Sequence, residues 1–286
     1  LIDNPRRILA AACNIGVENA KSDLIVAMNA HDEVERDFFT KSVGYLMQNP
    51  TIDCVGPVII THPQDATCLG KGIACAMSHP FGVGNSHFRV GVTEPKLVDT
   101  VHFGTYWRRV FEICGKYNEN LVRSQDIEFH QRLAAHGMRI LLVPDLIVHY
   151  YTRSNPKGFV RYGFVNGYWA TYPYKFGAKV ARLRHLVPAF FVAVLAAAAG
   201  FGFWMYGNFL LPTAGIGAHL AVGTFFGVNL LRTGKTPCVA AVFPLVVLVY
   251  HTTYGLGSIL GLFKSLGSKA FWQLLISRGR LPPTLA

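Results

Sequence analysis

Three polar side chains directly follow one predicted strand. Residues 23–28 form a short apolar run typical of a buried parallel strand, and Asn29, His31 and Asp32 come next. In open α/β sheets, ligands bind at the carboxyl ends of strands, where oxygen and imidazole groups can hold a divalent metal that bridges a diphosphate. These residues are therefore candidates for metal or diphosphate binding. The alternative is that Asp32 only caps the following helix.

Asp126 is a second candidate for chemistry. It stands beside Gln125 at the start of a predicted helix over 126–136, with Gly137 just past the end of that helix. A carboxylate in this position can accept the proton of an attacking hydroxyl, and the positive end of the helix favours its ionised form. A helix cap would use the same residue type, so both interpretations stay open.

A glycine-containing turn and one aspartate are candidates for contact with an acceptor. Gly82 and Gly84, beside Asn85, allow a backbone to approach a ligand closely, although a plain surface turn has the same composition. Asp99 precedes an aromatic stretch over 102–107 and could bind a hydroxylated acceptor, or it could serve the structure alone.

Arg161 opens an aromatic-rich stretch over 161–169. This composition is typical of the headgroup region of a membrane. Contact with a nucleotide diphosphate or a sugar is the alternative interpretation.

The elements that carry these residues are those of an α/β domain. Apolar runs predict strands, and amphipathic spacing predicts helices. Strands that alternate with helices imply a mainly parallel, Rossmann-like sheet. The predicted strands cover 23–28, 52–60, 138–143 and 147–151, and the predicted helices cover 5–20, 33–48 and 126–136.

Charge divides the 286-residue chain into two parts. All 16 acidic residues lie at or before Asp145, whereas 13 of the 27 Lys and Arg residues follow Tyr151. The later basic residues flank long uncharged runs instead of interleaving with polar residues, which indicates anionic lipid headgroups as partners and argues against nucleic acid. We therefore predict a cytosolic domain over 1–177 and an all-α membrane region over 178–286.

The second part contains runs long enough to cross a bilayer. Residues 186–206 and 209–231 each suffice for a spanning helix. A third run over 237–263 is interrupted by Gly255, Gly257 and Gly261, so we predict two or three spanning helices. The third segment is expected to be re-entrant or interfacial.

The basic residues at the ends of these runs predict the orientation. Arg182 and Arg184 precede the first run, and Arg232 and Lys235 follow the second. By the positive-inside rule, the first domain and the Arg232 loop are cytoplasmic. The chain is then a multi-pass protein of the inner (plasma) membrane. A cytoplasmic tail after a re-entrant third segment keeps the last basic residues inside, namely Lys264, Lys269, Arg278 and Arg280.

The six cysteines show no CxxC pair and no zinc-ligand spacing. We expect them to be buried, reduced thiols of a cytosolic domain.

Taken in order, these segments resemble the family 2 glycosyltransferases with a GT-A fold, and most closely the succinoglycan-type exopolysaccharide subgroup. The Asn29-Ala30-His31 triplet stands where that subgroup has Asp-x-His. The other matching segments are Asn4-Pro5, Asn14-Ile15-Gly16, Ala20-Lys21-Ser22-Asp23, 76–89, 98–104, Gln125-Asp126, Arg161 and Gly167-Tyr168-Trp169.

The resemblance implies transfer of a sugar from a nucleotide-sugar donor, with a UDP-sugar as the expected donor, and inversion at the anomeric carbon. It implies Mg²⁺ or Mn²⁺ as cofactor and Asp126 as general base, with His31 and Asn29 beside metal and diphosphate and Arg161 near the diphosphate or the membrane. The acceptor would be a lipid-linked sugar or a growing polysaccharide at the cytoplasmic leaflet.

Two departures from the pattern leave alternatives open. The family's first strand and nucleotide-binding acidic residues would precede Leu1, so the chain is expected to be N-terminally truncated. Asn29 replaces the usual Asp, and Tyr162 stands where the subgroup often has Gln. An inactive membrane scaffold in a polysaccharide assembly complex is therefore one alternative. A small transporter is another, because His219 and His251 lie in apolar runs, although a hydrogen bond between helices is the favoured interpretation of that pair.

Overall fold

The computed structural model describes residues 2–30 and 32–277. In that part of the chain a mixed β-sheet is flanked by helices and followed by long apolar helices. The strands are β1 (Leu24–Ala27), β2 (Glu33–Val34), β3 (Cys54–Pro63), β4 (Lys96–Val98), β5 (Gly104–Trp107) and β6 (Ile140–Thr152). The helices are α1 (Leu9–Asn19), α2 (Phe38–Gln48), α3 (Cys68–Ala76), α4 (Pro80–Val83), α5 (His87–Val90), α6 (Arg108–Cys114), α7 (Gln125–Ala135), α8 (Pro156–Thr171), α9 (Leu183–Tyr206), α10 (Leu210–Arg232), α11 (Pro237–Ser265) and α12 (Lys269–Ile276), with a 3₁₀ helix over Tyr172–Phe176.

The sheet is mixed, so the prediction of a mainly parallel sheet is wrong. Its order is β1-β5-β3-β6-β2, with β4 also on β6, and β3–β6 is the parallel pair among the described strands. Strands β1, β3 and β6 do run in one direction, as helix-connected strands should. However, β5 lies between β1 and β3 and is antiparallel to both, and β2 and β4 are antiparallel to β6. The short strands that the apolar pattern missed therefore decide the character of the sheet.

Several predicted elements have different bounds in the structure. The predicted helix over 33–48 begins at Phe38, because Glu33 and Val34 pair with β6. The two predicted strands at 138–143 and 147–151 are one strand, β6. Its register against β3 shifts between Pro57 and Val58.

The sheet has an apolar core on each face. Successive strand residues point to opposite faces, so Cys54 and Leu142 join one cluster while their neighbours Val55 and Val143 join the other. The first cluster includes Phe129 of α7, and the second includes residues of α2. The helix that carries Asp126 is thereby fixed on the sheet that carries Asn29.

Helices α9, α10 and α11 are each long and apolar enough to cross a membrane, by length and composition. In the most apolar 18-residue stretch of each helix, 17%, 17% and 39% of the stretch is buried within the structure, in that order. The predicted break in the third run is wrong, because α11 is one helix of 29 residues. Gly257 and Gly261 serve packing: an added Cβ would overlap the Phe164 and Tyr168 carbonyl oxygens of α8.

The α/β part and the apolar helices share one apolar cluster. Ile73 and Met77, in and after α3, pack with Phe243 and Val246 of α11 and with Phe159 of α8. Composition suggested a division near residue 177, but buried contacts run across it.

Two of the cysteines are not reduced thiols. Cys68 and Cys238 form a disulfide with a Cα–Cα distance of 5.7 Å, and Cys68 is exposed. The expectation that all six are buried and reduced is wrong for this pair. The first turns of α3 and α11 lie side by side in the fold. Because the two cysteines are 170 residues apart in the sequence, the sequence alone did not predict their pairing.

Candidate active site

The main cavity of the described structure opens at the carboxyl ends of the three co-directional strands. Its volume is about 1090 Å³. Asn29, Gln64 and Arg153 line it just after β1, β3 and β6. This is where open α/β sheets bind their ligands. The cavity continues between the apolar helices, where Phe191 and His251 line it.

Asn29, Asp32 and His102 form a hydrogen-bonded cluster beside the cavity. The Asn29 Nδ2 atom lies 3.2 Å from Asp32 Oδ2, and His102 Nε2 lies 3.1 Å from the same oxygen. The Asp32 side chain has no exposed surface, while Asn29 and His102 line the cavity. His31, predicted with them, lies outside the described residues. His102 was not predicted as a site residue, because β5 brings it to β1 only through the antiparallel pairing of the sheet.

The described residues do not by themselves make a metal site. They contain no group of three or more His, Cys, Asp or Glu side chains that could hold an ion. The buried Asp32 Oδ2 already accepts hydrogen bonds within the cluster. Metal binding by His31 and Asp32 stays a prediction.

Asp126 lies in the first turn of α7 and lines the same cavity as Asn29. Ser124, which caps the helix, has φ of 61°, a left-handed conformation that non-glycine residues rarely adopt. Burial raises the pKa of Asp126, although nearby His102, backbone N–H groups and Arg89 act to lower that pKa. The expected effect of the helix start is present, but burial outweighs it.

Gly82 and Gly84 also line the cavity. A Cβ added at Gly82 would overlap the Ala76 carbonyl oxygen, and Gly84 has φ of 62°. The Gly82 carbonyl lies 3.2 Å from His251 Nε2, and His251 Nδ1 lies 3.0 Å from His219 Nε2. The favoured interpretation of the two histidines, a hydrogen bond between helices, is confirmed, and the chain of contacts reaches the glycine turn.

Asn85 and Asp99 lie apart from the main cavity. They line a smaller cavity of about 360 Å³ with Arg182 and Arg184. Asp99 Oδ2 is 2.9 Å from Arg182 Nε and 2.8 Å from Arg184 Nη1, so this carboxylate ties the start of α9 to the sheet domain.

Arg161 is exposed on α8 and is not among the lining residues of the main cavity. Its neighbours Tyr162 and Asn166 on the same helix do line it. Gln125, predicted with Asp126, also lines the cavity and is buried. The structure thus brings together Asn29, Gly82, Gly84, Gln125 and Asp126, and leaves Asn85, Asp99 and Arg161 outside.

Arginine dominates the charge of the cavity wall. The described lining residues include Arg89, Arg123, Arg153 and Arg184, against Asp126 as the lone carboxylate. Arg89 lies inside the 76–89 segment, and Arg184 was named only for the membrane orientation, whereas Arg123 and Arg153 lay in no stretch that the sequence singled out. The cavity is suited to an anionic ligand.

Comparison with known proteins finds similarity to glycosyltransferases. Residues 1–110 match the family model "Glycosyl transferase family 2", which supports a glycosyltransferase family 2 domain in this part of the chain. A curated relative from Methanococcus voltae is 26% identical over 174 residues, covering 57% of this chain. Its name is dolichyl N-acetyl-alpha-D-glucosaminyl phosphate 3-beta-D-2,3-diacetamido-2,3-dideoxy-beta-D-glucuronosyltransferase.

The chain spans about half the length of that relative, 53%. Among solved structures, a mannosyltransferase from Pyrobaculum calidifontis, in complex with GDP-Man and Mn²⁺, has a TM-score of 0.44 and 17% identity. That similarity covers 87% of this chain and 67% of the mannosyltransferase chain.

Proposed function

We propose that the chain is a membrane-anchored, inverting glycosyltransferase. It transfers a sugar from a nucleotide-sugar donor, a UDP-sugar by resemblance, to a lipid-linked or polysaccharide acceptor at the cytoplasmic face of the plasma membrane. One observation carries the proposal: Asn29 at the end of β1 and Asp126 at the start of α7 line a single cavity that continues between α9, α10 and α11.

The proposed chemistry is a single displacement. The acceptor hydroxyl oxygen attacks the anomeric carbon of the donor, and its proton passes to the Asp126 carboxylate. The bond between that carbon and the diphosphate oxygen breaks, and the nucleoside diphosphate leaves with the bonding electrons. Attack opposite the leaving group inverts the anomeric carbon. The raised pKa of Asp126 favours acceptance of the proton.

The apolar end of the cavity supports a lipid-linked acceptor. Pro188 and Phe191 of α9 and Tyr254 of α11 line it beside the polar end that holds Asp126. The name of the Methanococcus voltae relative includes a dolichyl phosphate compound. An acceptor with a polar head and an apolar chain matches both ends of such a cavity.

A catalytically inactive scaffold in a polysaccharide assembly complex is the second candidate. Asn29 carries no charge where the family that the sequence resembles has a carboxylate. Such a protein would keep the fold and the membrane helices without transfer activity.

The test is transfer of radiolabelled sugar in membranes that contain the protein. UDP-sugars and GDP-sugars are supplied with Mn²⁺ and polyprenyl-phosphate-linked acceptors. Asp126→Asn should lower the rate by about 10²–10⁴-fold, because it removes the proton acceptor. Asp37→Asn removes the same charge from an exposed ion pair with Lys41 and is expected to have no effect.

The outcomes separate the two candidates. Wild-type transfer that survives in Asp126→Asn would eliminate Asp126 as the base. Absence of transfer with every donor, from folded wild-type protein, would favour the scaffold.

A further inference from the structure

Arg89 is a cation in the cavity wall that the proposed chemistry does not use. It is the third residue of the short helix α5, and its residue as a whole is partly buried. Its guanidinium carbon lies 5.5 Å from the centre of the Phe88 ring and 5.4 Å from the centre of the Tyr150 ring. The aromatic contacts hold the guanidinium in position while leaving its N–H donors uncommitted.

Among the described residues, Arg89 has no carboxylate within ion-pair distance. Its Nη1 atom is buried and has no hydrogen-bond partner there. Two other arginines of the cavity have protein partners: Arg184 pairs with Asp99 at 2.8 Å, and Arg123 donates to Asn166 at 3.0 Å. A buried charge without an anionic partner costs folding free energy, so a bound anion would offset that cost.

Arg89 shares an aromatic wall with the polar cluster. The Phe88 ring stacks on the His102 ring, with centroids 6.3 Å apart, and the Tyr150 ring meets His102 edge-on at 5.8 Å. The same His102 contacts Asp32 and Asn29. The rings that contact the Arg89 guanidinium therefore also contact His102 of the cluster at the end of β1. The positive charge of Arg89 also acts to lower the pKa of Asp126.

We propose that Arg89 binds phosphate oxygens of the substrate. A planar guanidinium can offer two parallel N–H donors to a phosphate group, which an ammonium cannot do. The inference rests on the proposed function, in which both the donor and a lipid acceptor carry phosphate. The shared ligand chemistry is a phosphate ester or diphosphate, and its two sources are the nucleotide and the lipid.

The test is equilibrium binding to the purified full chain in detergent micelles. The probes are UDP, GDP, inorganic pyrophosphate and a short polyprenyl phosphate, measured with wild type, Arg89→Gln and Arg89→Lys. Arg139→Gln is the matched control, because Arg139 is exposed immediately before β6 and does not line the cavity. Thermal unfolding of each variant is recorded alongside.

Arg89→Gln should weaken binding of at least one probe about tenfold or more, with Arg89→Lys intermediate and Arg139→Gln unchanged, since a charged hydrogen bond contributes about 1.5–3 kcal/mol. A loss confined to the nucleotides assigns Arg89 to the donor, and a loss confined to the polyprenyl phosphate assigns it to the acceptor. Unchanged affinities in Arg89→Gln, or no binding of any probe by wild type, would overturn the inference. If Arg89→Gln does not fold, Arg89→Lys decides alone: affinity equal to wild type overturns the proposal.

Binding also keeps this inference separate from the proposed function. Unchanged phosphate affinity in Arg89→Gln beside active wild-type transfer rejects the role of Arg89 and leaves the glycosyltransferase in place. Phosphate binding that depends on Arg89, in a protein without transfer activity, supports the role of Arg89 and rejects the glycosyltransferase.

Discussion

Asp126 is subject to opposing influences. Burial raises its pKa, while His102, the backbone N–H groups and Arg89 lower it, and burial is the largest of these causes. A carboxyl group with a raised folded-state pKa stabilises the fold below its unfolded pKa, and that contribution is lost as pH rises through the folded pKa. The ionised Asp126 therefore lowers stability at neutral pH.

Replacement of this carboxylate should stabilise the protein. We expect Asp126→Asn to raise the melting temperature at pH 7, by about 2–4 °C for each kcal/mol gained. The difference from wild type should shrink as pH falls and vanish below roughly pH 3, where Asp is mostly protonated in both states. Thermal unfolding in detergent across this pH range measures it. A melting temperature that falls at pH 7 would show that Asp126 makes a net stabilising contact when ionised.

Single residues also show how far the sequence could predict the site. Asn29 and Asp126 were found because a strand end and a helix start are visible in local patterns. His102 and Arg89 were not found individually, because their places beside these residues depend on antiparallel pairing and on ring contacts between distant segments. Asp99 was predicted to bind an acceptor, but it forms ion pairs with Arg182 and Arg184, which follow some 80 positions later in the sequence.

The contact between α8 and α11 shows how glycine acts at the scale of elements. Both helices carry glycines four residues apart, at 163 and 167 in α8 and at 257 and 261 in α11. An added Cβ at Gly167 would overlap the Tyr254 carbonyl oxygen of α11, and one at Gly257 would overlap that of Phe164. Small residues at this spacing let two helix backbones approach closely. The sequence suggested a helix break here because a glycine's packing partner is invisible without the fold.

Gly257→Ala should separate these helices. We expect a loss of about 1–3 kcal/mol, as for other overpacked cores. Gly200→Ala in α9 is the matched control, since a Cβ there meets nothing within 4 Å, and alanine favours a helix by about 1 kcal/mol. Detergent unfolding should show a lower midpoint for Gly257→Ala alone. Equal midpoints for the two variants would mean that α8 and α11 do not pack closely.

For the whole molecule, composition predicted an α/β part followed by apolar helices, and that order is confirmed. Composition could not predict the contacts that join them. The shared cluster around Met77 and Phe243, and the disulfide between Cys68 and Cys238, link segments about 170 residues apart. The spacing of residues within one helix or strand cannot predict contacts between such distant segments.

A chain ending at Gly177 should therefore be poorly soluble. Removing α9 to α12 would leave the apolar faces of Ile73, Met77 and Phe159 exposed to water. Exposed patches of this kind cause association. Analytical ultracentrifugation of the truncated chain should show aggregates, whereas the full chain in detergent stays monodisperse. A soluble, monomeric truncated chain would mean that the α/β part folds independently.

The cluster that joins α3, α8 and α11 also limits how this protein can change over evolution. A residue such as Val246 must complement Ile73 and Met77 as well as its own helix. Recombination between distant relatives that exchanges helices α9 to α12 would bring together two surfaces that had not evolved to pack on each other. Related proteins with this arrangement should therefore inherit the α/β part and the apolar helices together. Substitutions in the cluster on one side should be accompanied by substitutions on the other side.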